Sequence, residues 1–279
     1  MLRKPYLYIL AICFFCCEEA PDFGTGDSAD TPVVDIQTSE TTFTDFPIEI
    51  KWEGNTAARE FIYELQYVDD PSISHSWSGS NTTNETSMTF DNLDEGSYTF
   101  SVQGLYNQDN IGDVVTLDFT VDVISGPSLR IYPLNQTANV GDEIDVYLYF
   151  EEVLEELAVT GLQVDIQINT GELEFITDEF DYGELITGFP GTTIYPDPNY
   201  SDYDGNDMSV SIIGVAYDNG SGLFGTGYIA KFRIRVLAGS GTYDININQG
   251  ENAFQNINGD AHSFNEPVSG SVTVESVLQ

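Results

Sequence analysis

The sequence predicts an all-β protein made of two β-sandwiches. Runs in which every second residue is large and apolar recur along the chain, as strands with one buried face require. The 25 Gly and 11 Pro are spread widely and punctuate those runs with turns. Long amphipathic helical patterns are missing. The 279 residues suffice for two ordinary domains, and 16 Tyr and 17 Phe can fill sizeable cores.

The first element is an address. Arg3 and Lys4 precede an apolar run over residues 6–15, too short to span a bilayer stably, and the run ends in FFCCEE without an Ala-x-Ala cleavage site. Residues 1–17 resemble a bacterial lipoprotein signal peptide, in which a Cys becomes the first mature residue and carries lipid. The resemblance implies lipid attachment at Cys17, with Cys16 as runner-up, because Phe14 stands where Leu is usual. Glu18 and Glu19 follow at once, resembling a surface-export signal of one large phylum of Gram-negative bacteria. An outer-membrane lipoprotein exposed at the cell surface is therefore expected, with the membrane as a partner through the lipid. Residues 18–31 are polar, acidic and Gly-containing, and predict a flexible tether. Asp27-Ser28-Ala29 within it resembles an O-glycosylation site of the same bacteria. All three Cys lie in the first 17 residues, so disulfides, thiolate metal sites and Cys catalysis are excluded from the rest.

Residues 32–124 carry the next set of strands. PIEIKW, FIYELQYV, SMTF, SYTFSVQGLY and VVTLDFTVDV alternate between turn signals, with Phe61, Tyr63, Leu65 and Tyr67 on one face. The stretch FDNLDEGSYTFSVQGLYNQDNIGD and the placement of Tyr63, Tyr67 and Trp77 make this unit resemble an immunoglobulin-like or fibronectin type III-like module, which implies a spacer. Trp77 is expected to pack at a sandwich edge, the alternative being a sugar contact.

Residues 125–127, SGP, are the linker, and residues 128–279 the second sandwich. NVGDEIDVYLYF predicts a turn and a strand with Ile144, Val146, Leu148 and Phe150 inward. GLQVDIQINTGELEFI, VSIIGVAY, GYIAKFRIRVL and VSGSVTV follow. In that order and spacing these segments resemble a cohesin domain over about residues 128–277. The resemblance implies a jelly-roll-like sandwich that holds a partner protein, a dockerin-type module or another, on the outer face of one sheet and does no chemistry of its own. It also implies that the strands containing Gln163, Asp165 and Gln167 and Lys231, Arg233 and Arg235 are neighbours, so that these six residues form a single partner-binding face. Cross-strand charge pairing that only solvates the sheet is the alternative. Dockerin-binding cohesins often carry Asn and Asp on the first of these strands. Gly161 and Gln163 occupy the matching positions here, which leaves room for a partner of a different kind. Between strands, EEVLEELA over residues 151–158 is too short for a self-supporting helix. One or two helical turns or an acidic loop are expected, with Val153, Leu154 or Leu157 covering the sandwich end.

Charge narrows the functions. Against 46 acidic residues stand 8 basic ones, a net charge of −38, and nucleic-acid binding needs clustered Lys and Arg. Asp202, Asp204, Asn206 and Asp207 place oxygen ligands in a Gly-containing turn, which suits calcium, although the order of an EF-hand loop is not met. A solvated acidic loop is the alternative. His75 and His262 lie beside no nucleophile, and no metalloprotease or phosphate-loop motif occurs, so no enzyme is expected. The expected function is that of a non-catalytic surface lipoprotein acting as an anchor or scaffold for a partner protein. A carbohydrate-binding surface lipoprotein presenting Tyr195, Tyr200 and Tyr203 to extracellular polysaccharide, and a purely structural stalk, are the competing readings.

Overall fold

The structure is a computed structural model and describes residues 31–69, 79–107, 109–194, 196–202, 207–217, 222–256, 258–262 and 264–275. Cys17, the tether up to residue 30, His75, Trp77, Tyr195, Tyr203, Asp204 and Asn206 lie outside the described residues. Residues 31–279 form one compact unit, and its described residues are all-β apart from two short helical pieces.

Nine strands build the first part: β1 (Val34–Ile36), β2 (Thr42–Phe43), β3 (Ile48–Gly54), β4 (Glu60–Tyr67), β5 (Ser80–Thr83), β6 (Ser87–Phe90), β7 (Gly96–Asn107), β8 (Asn110–Ile111) and β9 (Val115–Val121). They form two sheets, ordered β1-β3-β6 and β2-β9-β7-β4-β5, with β8 on β7. The alternation dictates the packing. Phe61, Tyr63 and Leu65 of β4 and Tyr98, Phe100 and Val102 of β7 turn inward onto Ile48, Ile50 and Trp52 of β3. Trp52 sits within ring contact of Phe61, Tyr63 and Phe100. Gly96 opens β7 at φ +131°, where a Cβ would run into the Asp69 carboxylate and the Tyr67 ring, so only Gly fits.

Twelve strands build the second part: β10 (Ser128–Tyr132), β11 (Asn135–Ala138), β12 (Glu143–Val153), β13 (Val159–Asn169), β14 (Leu173–Tyr182), β15 (Thr192–Ile194), β16 (Asn199–Asp202), β17 (Asp207–Tyr217), β18 (Gly225–Val236), β19 (Gly241–Asn256), β20 (Ala261–His262) and β21 (Gly270–Val274), with one short helix, α1 (Glu184–Thr187). One sheet runs β10-β12-β18-β14 and the other β11-β21-β19-β13-β17-β15, with β16 on β17 and β20 on β19. Their inner faces share one core. Val146, Leu148, Phe150, Phe232 and Ile234 come from the first sheet, and Leu162, Val164, Ile166, Ile168 and Val272 from the second.

The segment after β12 holds a single 3-10 turn, Glu155–Leu157, closed by Ala158 at φ 44°. Val153 is buried and Leu157 packs against the core, whereas Leu154 is 49% exposed. Three residues of helix suit a crossover whose stability comes from those two side chains rather than from helix propensity.

The two parts are docked against each other. The Asp94 carboxylate accepts from the Leu134 N–H across the junction at 2.7 Å, and beside it, within the first sandwich, Glu95 accepts from Val123 and Ile124 N–H at 2.9 and 2.6 Å. Gly126 N–H donates to Glu152 at 3.0 Å, and Asn265 donates to the Ser125 carbonyl at 2.8 Å. Tyr132, Tyr147 and Tyr149, from the outer face of the four-stranded sheet, join the apolar core of the first sandwich.

Candidate functional site

The expected single face does not exist. β13 and β18 belong to opposite sheets, each paired with other strands: β13 with β17 and β19, β18 with β12 and β14. Gln163, Asp165 and Gln167 therefore lie on one outer face of the sandwich, and Lys231, Arg233 and Arg235 on the other. The physical reason is that an alternating strand buries one face equally well beside a neighbour or across a core. Here the apolar sets of the two strands meet through the core.

On the four-stranded sheet the cations are spent on cross-strand partners. Lys231 and Arg233 both reach Asp145 at 2.8 Å. Arg235 bridges Glu143 and Glu174, each at 2.7 Å. The register sets this up, since Glu143 and Asp145 on β12 lie opposite Arg235 and Arg233 on β18. Partial burial pushes the Asp145 carboxyl up, but hydrogen bonds from Arg233 and Lys231 outweigh it and hold it below the ordinary carboxylate range. The hydrogen bond to Asp145 likewise holds the Lys231 ammonium above its usual value. The charge-pairing alternative accounts for all three residues.

Sequence reasoning missed a fourth cation on this sheet, Arg130 of β10. Its Nε donates to Glu151 at 2.6 Å, and the pair is buried, with 6% and 9% of the side chains exposed. Its guanidinium lies over the Tyr149 and Tyr132 rings at 4.5 and 5.6 Å. The signal was present: Arg130, Tyr132, Tyr147 and Tyr149 occupy the outward positions of strands whose other face is purely aliphatic or Phe.

The eight-stranded sheet presents a different outer face. On β13, Gln163 is exposed while Asp165 and Gln167 are half-buried. The register sets Asp165 opposite Asn248 and Gln167 opposite Asn246 on β19, and both Asn are exposed. Among the described residues the side chains of Gln163, Gln167, Asn246 and Asn248 have no hydrogen-bond partner, and the Gln167 Nε2 is itself buried. The described cations of this sandwich, Arg130, Lys231, Arg233 and Arg235, all sit on the opposite sheet. Gly161, at the head of the same row, has room for a side chain, since a Cβ there meets only the Gln255 Cβ at 3.8 Å.

The remaining expectations fall elsewhere. Asp202 and Asp207 bound strands β16 and β17, but their side chains, like Asp204 and Asn206, lie outside the described residues. Among the described residues no three His, Cys, Asp or Glu are grouped to hold a metal ion. Tyr200 is not part of an exposed aromatic row. Its ring packs on Phe175 at 5.8 Å and against the core, and burial pushes its hydroxyl pKa up.

No protein-family model and no curated protein matches the chain. Solved cohesin structures are similar to about half of it. A non-cellulosomal cohesin from the hyperthermophilic archaeon Archaeoglobus fulgidus aligns at 18% identity over 53% of this chain and 91% of its own, with a TM-score of 0.38. The Coh-OlpA–Doc918 and Coh-OlpC–Doc435 type I cohesin–dockerin complexes from Clostridium thermocellum align at 16% and 17% identity. They cover 53% and 55% of this chain and 99% and 97% of theirs, with TM-scores of 0.40 each.

Proposed function

We propose that this chain is a non-catalytic recognition protein. It binds a partner protein on the outer face of the eight-stranded sheet, around Gln163, Asp165, Gln167, Asn246 and Asn248. The observation that carries this reading is the contrast between the faces. The four-stranded sheet satisfies its own charges, while the eight-stranded sheet leaves amide donors and acceptors unspent across two adjacent strands. Unspent amides gain hydrogen bonds on association, and a buried donor such as the Gln167 Nε2 is costly until one is made. The cohesin resemblance of the segments quoted above adds a dockerin-type module as the first partner to try. In this proposal the first sandwich is an immunoglobulin-like or fibronectin type III-like spacer. Lipid on Cys17 holds the protein at the outer membrane, facing outward.

The test is a pull-down from the source proteome with the full chain, comparing wild type, Gln163→Arg/Asp165→Lys and Arg233→Gln/Arg235→Gln. A protein retained by wild type and by the second variant, but lost with the first, supports the reading. Loss with the Arg pair and retention by the Gln163/Asp165 variant would move the interface to the other sheet and overturn it. Labelling with a fatty-acid analogue, abolished by Cys17→Ser, tests the anchor independently.

A further inference from the structure

We infer that the tyrosine-lined cleft between the two sandwiches is a binding site for a neutral saccharide. The cleft measures about 610 Å³ and is lined by the half-buried Tyr147, Tyr149, Tyr182 and Tyr228 together with the buried Tyr67 and Tyr132. That volume lies in the range of small-ligand sites. It opens on the sheet opposite the proposed partner face, so neither reading rests on the other.

The backbone is shaped to make this wall. The register of β12 against β18 slips between Leu148 and Tyr149: Leu148 pairs with Ala230, but Tyr149 pairs with Tyr228. The extra residue is Ile229, which is buried in the core. The bulge lets Tyr228 and Lys231 face the same side although they are three residues apart, and bulges of this kind re-aim side chains beside functional sites. As a result Tyr228 meets both Tyr147 and Tyr149, with centroids 5.5 and 6.0 Å apart, and Tyr132 closes the row at 5.5 Å from Tyr149.

Hydrogen-bonding capacity remains in the cleft. Among the described residues the hydroxyls of Tyr149 and Tyr228 have no hydrogen-bond partner. Arg130, nine-tenths buried at the floor, has an Nη1 without a partner. The first sandwich supplies Asp69, whose carboxylate accepts from the Ser97 N–H at 2.8 Å and keeps a second oxygen.

Charge selects the ligand class. Arg130 is neutralised by Glu151 and Lys231 by Asp145. An anionic ligand would meet Asp69 and Asp181 at the rim and a chain of net charge −38. A cationic ligand would meet Arg130 and Lys231, already placed over the Tyr149 and Tyr147 rings at 4.5 and 5.5 Å. A neutral, hydroxyl-rich ring with one apolar face suits what is left: the half-buried rings of Tyr182 and Tyr228 for its C–H side, and hydroxyls and carboxylate oxygens for its rim.

The experiment is calorimetric titration of the full chain with a panel of neutral gluco-, xylo-, galacto- and manno-oligosaccharides, and with their uronic-acid counterparts. At least one neutral oligosaccharide should bind. Tyr228→Phe, which keeps the ring and its packing, should weaken that binding about three- to tenfold, and Tyr228→Ala should remove it. Gln163→Arg/Asp165→Lys should leave it unchanged, which separates this site from the partner face. The inference is overturned if no neutral member binds, if only uronates bind, or if Tyr228→Phe binds as tightly as wild type.

Discussion

The two outer faces of the second sandwich have the same strand geometry and opposite economies. On β10-β12-β18-β14 every described cation has a carboxylate within 3 Å, and the tyrosines between them are partly covered by the first sandwich. On the adjacent β19 and β13 the outward amides of Gln163, Gln167, Asn246 and Asn248 have no hydrogen-bond partner among the described residues. Charges of opposite sign on facing strands find each other at no cost in backbone order, so a face rich in both signs saturates itself. Gln163, Gln167, Asn246 and Asn248 carry no charge to draw a partner from a facing strand and stay available. Charge is therefore a poor marker of a binding face in so acidic a chain, and the scarcity of charge on one sheet is the better marker.

That contrast can be broken most severely at Arg130. Arg130→Met should destabilise the protein by about 3–5 kcal/mol, because it leaves Glu151 buried without its counter-charge. Arg130→Met/Glu151→Met should recover most of the loss, and urea denaturation of both variants checks it.

The junction beneath the same face should respond to pH. Burial raises Asp94 and Glu95, each to about 7, against opposing hydrogen bonds from Leu134 and from Ile124 and Val123. The folded protein then holds protons that the unfolded chain has released. The stabilisation is full below the ordinary carboxylate range and is lost as pH rises through about 7. The protein should be more stable at pH 5 than at pH 8, by on the order of a few kcal/mol. Asp94→Asn should make that profile shallower, with Glu95 supplying the rest, and a wild-type stability that climbs over the same interval would contradict the assignment.

Smaller effects sharpen the comparison. Arg233→Gln removes a half-buried, solvent-accessible ion pair and should cost up to about 1 kcal/mol, less at high salt. Gly161→Ala, on the amide face, should raise stability by about 0.5 kcal/mol in thermal unfolding, since its Cβ finds only ordinary contact at 3.8 Å.

Local alternation made much of the fold legible. Phe61, Tyr63 and Leu65, or Val146, Leu148 and Phe150, declare strands with one buried face from a handful of consecutive residues. The crossover at residues 155–157 was legible for the same reason, being too short to support itself. Strand neighbours were not. Leu162–Ile168 and Phe232–Val236 have the same period, and nothing within either segment tells whether they pair side by side or face each other across a core. The error over Gln163 and Arg233 follows directly. Arg130 and Glu151 were hidden likewise, because their meeting depends on the antiparallel register that sets Leu129 opposite Phe150 and Arg130 opposite Tyr149. The bulge at Ile229 has no sequence mark at all, since its residues are ordinary strand formers.

The three-residue connection between the sandwiches is a splint rather than a swivel. Ser125 and Gly126 are each held from the second sandwich, by Asn265 and Glu152, while Asp94 reaches across to the Leu134 backbone. A bearing set by so many short bonds has almost no play, so one residue inserted at the connection would dislocate them together. Whatever docks on either face of the second sandwich is thereby held at a fixed angle to the first, and a load applied to it is carried by the junction as a whole instead of being absorbed by a flexing joint.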